Sequence, residues 1–163
     1  MMNTRIYFGL VRFPIISILV FFICFLLAAF LFPGSEIERL NFKSEMYSLS
    51  HNFLSGLGCL ETSSGETNTP SAILFNGSLV LVGSALMLFY WRFKEMFQAI
   101  GDSAKSIKFA SWSKPVGLVA GVLFAGVGIV PHDLHFAAHV FFANYAFLVL
   151  FALCVLHSLT VYH

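Results

Sequence analysis

From Phe13 to Phe32 the chain runs for twenty residues without a charged side chain. Further apolar runs follow at about Ala72 to Trp91, Pro115 to Val130 and Leu134 to Val161. About twenty residues of helix cross the hydrocarbon core of a bilayer, so such runs have few homes outside lipid. Composition closes the remaining escape. The chain is 58% hydrophobic and 10% charged over 163 residues, where a soluble domain carries about 25% charged residues. A chain this short has too little interior to hide so much apolar surface from water. The twenty phenylalanines are fillers that cost nothing against acyl chains. The sequence therefore predicts an all-α integral membrane bundle of four transmembrane helices, forming one domain over residues 1–163.

The first run is preceded by Arg5 and Arg12, as in a signal peptide. It is longer than the about 7–15 residues of a signal h-region, and Pro33-Gly34-Ser35 closes it, so it reads as a retained helix. Tyr90 and Trp91 end the second run with interfacial aromatics, followed by Arg92 and Lys94. Pro115 suits the first turn of the third helix and Pro131 its stop. The fourth run is long for one span, which predicts tilt or projection.

Lysine and arginine set the orientation. Arg92, Lys94, Lys105, Lys108 and Lys114 fall between the second and third runs, and Arg5 and Arg12 precede the first. The 33–71 loop holds Arg39 and Lys43 against Glu36, Glu38, Glu45, Glu61 and Glu66, and the 131–134 turn holds neither lysine nor arginine. The positive-inside rule then places both termini in the cytoplasm and the 33–71 loop and 131–134 turn outside. Within that loop, Thr62 to Ser71 reads as a flexible polar linker. Met46, Leu49, Phe53, Leu54 and Leu57 recur at helical spacing over Ser44 to Gly58, which predicts a short interfacial helix.

A net charge of +1, with no basic stripe, excludes nucleic acid as a partner. Cys24, Cys59 and Cys154 are too scattered for a disulfide or metal framework. Gly117, Gly121 and Ala125 recur every four residues, a small-residue face that lets helices approach closely, either within the chain or in self-association.

Polar groups at membrane depth are expensive and gather around wet cavities. Here His51, Asn52, Ser55, Asn76, Asp133, His135 and His139 all fall toward the outer side, which predicts one outward-facing polar pocket. His135 and His139 lie four apart on one helix face. With His51 or Asp133 as a third ligand they would make a site for a divalent metal. The competing reading leaves these histidines as hydrogen-bonding groups at the interface, with Asp133 capping the fourth helix. His157 lies on the same face as His139, farther along. Nucleophile elbows, phosphate loops and paired carboxylates are absent from the sequence.

Several ordered pieces resemble the domain-of-unknown-function 998 membrane family. His51-Asn52-Phe53-Leu54-Ser55-Gly56-Leu57-Gly58 looks like that family's segment after its first helix. Phe75-Asn76-Gly77 with Gly83 is similar to its second-helix opening, and Gly126 to Pro131 with Asp133 and His139 resembles a third segment. Gly56 stands where the family has an acidic residue, and four helices stand where it usually has six. The resemblance implies a multi-helix membrane protein, distantly akin to FRAG/DRAM-type lipid-linked proteins, and no established reaction. Two functions follow as expectations. One is a non-catalytic protein that binds lipid or a partner membrane subunit through the outer pocket. The other is a metal-dependent lipid hydrolase built on His135 and His139, in which the metal activates water.

Overall fold

A computed structural model describes residues 4–37 and 41–163, so Glu38 and Arg39 of the loop charge pattern lie outside the described residues. Four helices carry the fold: α1 (Thr4–Leu31), α2 (Thr69–Ile100), α3 (Ala104–Ile129) and α4 (Phe136–Tyr162). Each is long and apolar enough to cross a membrane. Between α1 and α2 lie two short antiparallel strands, β1 (Ser35–Ile37) and β2 (Phe42–Ser44), paired Ser35 to Ser44. A 3-10 turn follows at Leu54–Gly58. The helices run alternately up and down, each packed on the next. One end of the row therefore gathers the 35–67 loop and the 131–135 turn, and the other gathers the basic residues.

Three of the helices begin ahead of the runs that predicted them, and α4 begins two residues after the start of its run. α2 begins three residues before Ala72, with Pro70 in its first turn. At about 1.5 Å per residue its 32 residues span about 48 Å, so its last turns project beyond an apolar layer. Gly101 ends it with φ 69°. The Gly101 N–H reaches Gln98 O and the Asp102 N–H reaches Phe97 O, a paired C-terminal lock that a left-handed glycine permits. Ser103 then caps α3, its side chain accepting from Ser106 N–H at 3.1 Å. Pro115 is thus inside α3 and not in its first turn. The cap lies twelve residues upstream, so the polar stretch 104–114 is the first part of the helix. Pro131 does stop α3, with Val130 extended before it.

Two expectations about the loop change. Ser44–Gly58 does not form one interfacial helix: its helical part is the 3-10 turn Leu54–Gly58 alone, and Phe42–Ser44 pairs as a strand. Met46, Leu49 and Phe53 are nonetheless exposed apolar side chains, while Leu57 is fully buried. Nor is Thr62–Ser71 a loose linker. Glu61 bridges Thr67, Asn68 is buried, and α2 begins at Thr69.

Without a hydrophobic drive between helices in lipid, close backbone approach must hold them together. A Cβ on Gly83 would meet Gly121 O at 2.6 Å and Ala125 N at 2.7 Å. Gly121 faces Gly83 and Met87, and Gly117 lies against the Tyr90 ring. The Gly117/Gly121/Ala125 face is therefore filled by α2 within the chain. Gly126 receives Phe142 of α4 in the same way. In-span hydroxyls return to their own helices: Ser17 to Phe13 O, Ser84 to Val80 O, Ser113 to Phe109 O and Thr160 to Leu156 O. These four hydroxyls thereby meet their hydrogen-bonding needs without water. Near the basic end, Tyr90 OH contacts His157 Nδ1 at 3.1 Å, within a core that includes Phe93 and Leu153. Cations rest on aromatic faces there, with Lys114 3.6 Å from the Trp91 ring centroid and Lys108 5.0 Å from that of Trp112.

Gly83→Val should lower the stability of the detergent-solubilised protein by about 1–3 kcal/mol or more, because both facing atoms are backbone. Gly77→Ala, whose Cβ meets nothing within 4 Å, should leave the thermal midpoint nearly unchanged. Thermal unfolding followed by circular dichroism in one detergent compares the two.

Candidate functional site

The loop end is built on a short stretch of chain whose carbonyls point into protein. Asn68, at the N-terminus of α2, donates through Nδ2 to Leu57 O at 3.2 Å and Cys59 O at 2.8 Å. Ser71 Oγ donates to Leu57 O at 3.0 Å, and Asn76 Nδ2 to Gly58 O at 2.8 Å. Gly58 has no room for a side chain, since a Cβ would run into the Asn76 amide. The stretch 56–59 is thus clamped across the top of α2.

The 131–135 turn docks on it from the other side. Asp133 Oδ2 accepts from Leu60 N–H at 2.7 Å and from Glu61 N–H at 3.2 Å. Cys59 Sγ lies 2.7 Å from His132 Nδ1. Burial pushes the Cys59 thiol up to about 11, with the nearby Asp133 carboxylate adding to the rise and a backbone hydrogen bond opposing it. Burial thus favours the protonated thiol at neutral pH, placed against His132 Nδ1. A protonated, buried thiol is a poor nucleophile.

Two cavities meet here. A cleft of about 500 Å3 has a mainly apolar wall, Phe32 and Phe53 included, and takes polar side chains from both loops, among them His51, Asn52, Glu61, His132 and Asp133. A pocket of about 630 Å3 lies between α2, α3 and α4 and is lined mainly by apolar side chains, including Phe75, Phe124, Val140 and Ala143. Phe53 and His132 border both cavities. Asn144 is a polar residue two turns into α4 that lines the apolar pocket beside His139.

The residues predicted from sequence divide. His51, Asn52 and Asp133 line the cleft, while Ser55 lines the apolar pocket. Asn76 is spent on the Gly58 carbonyl beneath them. Asn52 is also a staple, accepting from Ser48 N–H and donating to Ser35 Oγ at 2.6 Å. The proposed metal set His135, His139 and His51 does not converge. His135 is exposed, and its Nδ1 accepts from Ala138 N–H at 3.2 Å as the cap of α4. His139 is buried and turns Nδ1 to Val130 O at 2.7 Å. His51 stacks on Phe42 at 3.9 Å between ring centroids and contacts Ser50 Oγ at 2.8 Å. Asp133 does not cap α4: a histidine took that position, and the carboxylate went to the amides of the other loop.

Cys59, His132 and Asp133 are brought together instead, and among the described residues they form the one group of three His, Cys or acidic side chains close enough to share an ion. Asn68 was overlooked, although an asparagine just before Thr-Pro is a recognisable helix start. Nothing in the sequence pairs Cys59 with His132, 73 positions away. The chain matches no family model, no curated protein and no solved structure.

Asn68→Ala should strand the Cys59 carbonyl, Leu57 O keeping Ser71 Oγ as a donor, and cost about 1–3 kcal/mol. The expected signature is local. Hydrogen–deuterium exchange should quicken across 56–61 with little change in the Gly83–Gly121 region. Uniform loosening of all four helices would contradict the clamp.

Proposed function

We propose that this is a non-catalytic membrane protein that binds a lipid at the loop end, with the headgroup in the cleft and an acyl chain in the apolar pocket. The observation that carries it is the junction: a cavity into which polar and charged loop side chains reach and a cavity between helix faces share Phe53 and His132. An amphiphile needs both surfaces joined end to end, and a soluble polar ligand has no use for the second. A protein pocket of this volume is of ordinary ligand-binding size. Asn144 supplies an amide within the apolar pocket, placed for the ester or amide linkage of a lipid. Against a covalent reaction stands the Cys59 thiol, held protonated by burial.

The loop end is assigned to the exoplasmic face, because the basic residues and their aromatic partners gather at the other. We also take the chain as a relative of the family it resembles. The segments His51–Gly58, Phe75–Gly77 and Gly126–His139, far apart in sequence, meet at this junction.

Two measurements test the reading. Lipid extracted from detergent-purified protein should include one species near one per chain, and Ala143→Trp, which fills the pocket, should reduce it at least tenfold. Leu148→Trp on the exposed face of α4 should not. Equal lipid content in all three proteins would sink the proposal. Separately, a cysteine at Ser64 should react with a membrane-impermeant maleimide on intact cells, and one at Lys105 only after permeabilisation; the reverse pattern would invert the topology.

A further inference from the structure

We infer that Cys59, His132 and Asp133 form a binding site for a divalent transition cation of the zinc class. Their candidate ligand atoms, a sulfur, an imidazole nitrogen and a carboxylate oxygen, all lie within 4.8 Å of one another. A thiolate and an imidazole on one ion select zinc or its neighbours over magnesium or calcium, which prefer all-oxygen sites. The set differs from His135, His139 and His51, which point to separate partners.

The surroundings are those of a held site. Asp133 is fixed through Oδ2 by two backbone N–H groups. Cys59 is fixed through its carbonyl by the buried Asn68. His132 is packed at its ring by Phe136 and His139, with centroids 5.9 and 6.0 Å away. Two ligands of a tetrahedral zinc, with bonds of about 2.3 Å to sulfur and about 2.0 Å to nitrogen, stand about 3.5 Å apart. Cys59 and His132 are closer than that, at 2.7 Å, so the ion parts the pair by less than an ångström. On binding, the Cys59 S–H bond breaks, its proton leaves to buffer, and the sulfur–metal bond forms. All three residues line the cleft, which leaves a fourth coordination position reachable from it.

The site stands independently of lipid binding, and its test reads the metal alone. The full chain, purified in detergent and stripped with chelator, is titrated with Co2+ and then with Zn2+. The expected result is one Co2+ per chain with a thiolate-to-cobalt charge-transfer absorption, displaced stoichiometrically by Zn2+. Cys59→Ser should abolish that absorption and weaken Co2+ binding at least tenfold, and His132→Gln should weaken it similarly. The double variant Cys24→Ser/Cys154→Ser should retain the full spectrum, so loss in Cys59→Ser cannot be laid to general damage from removing thiols. His135→Ala and His51→Ala should bind as the parent does. Absence of stoichiometric Co2+, absence of the thiolate absorption in the parent, or binding lost with His135→Ala and kept in Cys59→Ser would each overturn the inference.

Discussion

The stretch from Gly56 to Cys59 crosses the end of the helix row with its carbonyls turned inward, and three side chains of α2 take them up. Asn68, Ser71 and Asn76 lie on the first two turns of that helix and reach Leu57, Cys59 and Gly58. Buried carbonyls without donors would cost about 1–3 kcal/mol each, so the loop has one good place to lie. Everything at the loop end follows from that placement. Leu57 is pressed into the core beside Phe75 and Leu79. The amides of Leu60 and Glu61 are aimed at Asp133, and Cys59 is set against His132. The 131–135 turn is thereby docked on a loop more than seventy residues earlier in the chain.

The helices below supply a rigid base for this arrangement by a different means. Gly83 and Gly121 bring the α2 and α3 backbones to contact, with carbonyl oxygens at 2.6 Å from where a Cβ would stand. At that distance a methyl group has nowhere to go. Near the other end bulk replaces smallness: Tyr90, Phe93, Phe97 and Leu153 fill a core between α2, α3 and α4. The row is tight between α2 and α3 and opens toward α4 near the loop end, where Phe124, Val127 and Ala143 border a cavity instead of interlocking. A membrane helix pair that gains little from burying apolar surface can leave such a gap without the penalty a soluble core would incur.

Periodicity and hydropathy made the four helices legible because both signals are local. The run at Ala72 lies inside an observed helix, and those at Phe13 and Leu134 overrun theirs by one and two residues. Pro115 misled, since the rule that proline favours the first turn is weaker than the cap at Ser103 and the C-terminal lock at Gly101, and these together fix where α3 begins. The interfacial helix over Ser44–Gly58 was a fair reading of spacing. It lost to long-range demands, as Asn52 was needed at Ser35 and Ser48 and Leu57 in the core. Of the polar residues expected in one pocket, Ser55, Asn76, His135 and His139 went elsewhere; His51, Asn52 and Asp133, which line the cleft, were legible because polarity near a span end is itself a local signal. Their partners were not. The helical spacing of His135 and His139 suggested a shared ligand, yet one caps α4 and the other reaches Val130. The pairing of Cys59 with His132 depends on how two loops dock, which no spacing within either loop encodes.

His132 is where the two cavities and the proposed cation site coincide. Its ring borders both spaces, its Nδ1 faces Cys59, and its edge meets His139, whose own Nδ1 is tied to Val130 O. A divalent cation held there by the Cys59 thiolate and the Asp133 carboxylate would cancel the local negative charge and leave the metal's own charge reachable at an open coordination position. Zwitterionic and anionic headgroups both carry phosphate or carboxylate oxygens that such a charge attracts, and low local dielectric strengthens that attraction over its value in water. Glu61, on the cleft wall, would oppose a bare anion without the cation and become tolerable with it. If the loop end takes a lipid and a cation as proposed, headgroup preference would depend on the metal, and acyl-chain binding between α2, α3 and α4 would not.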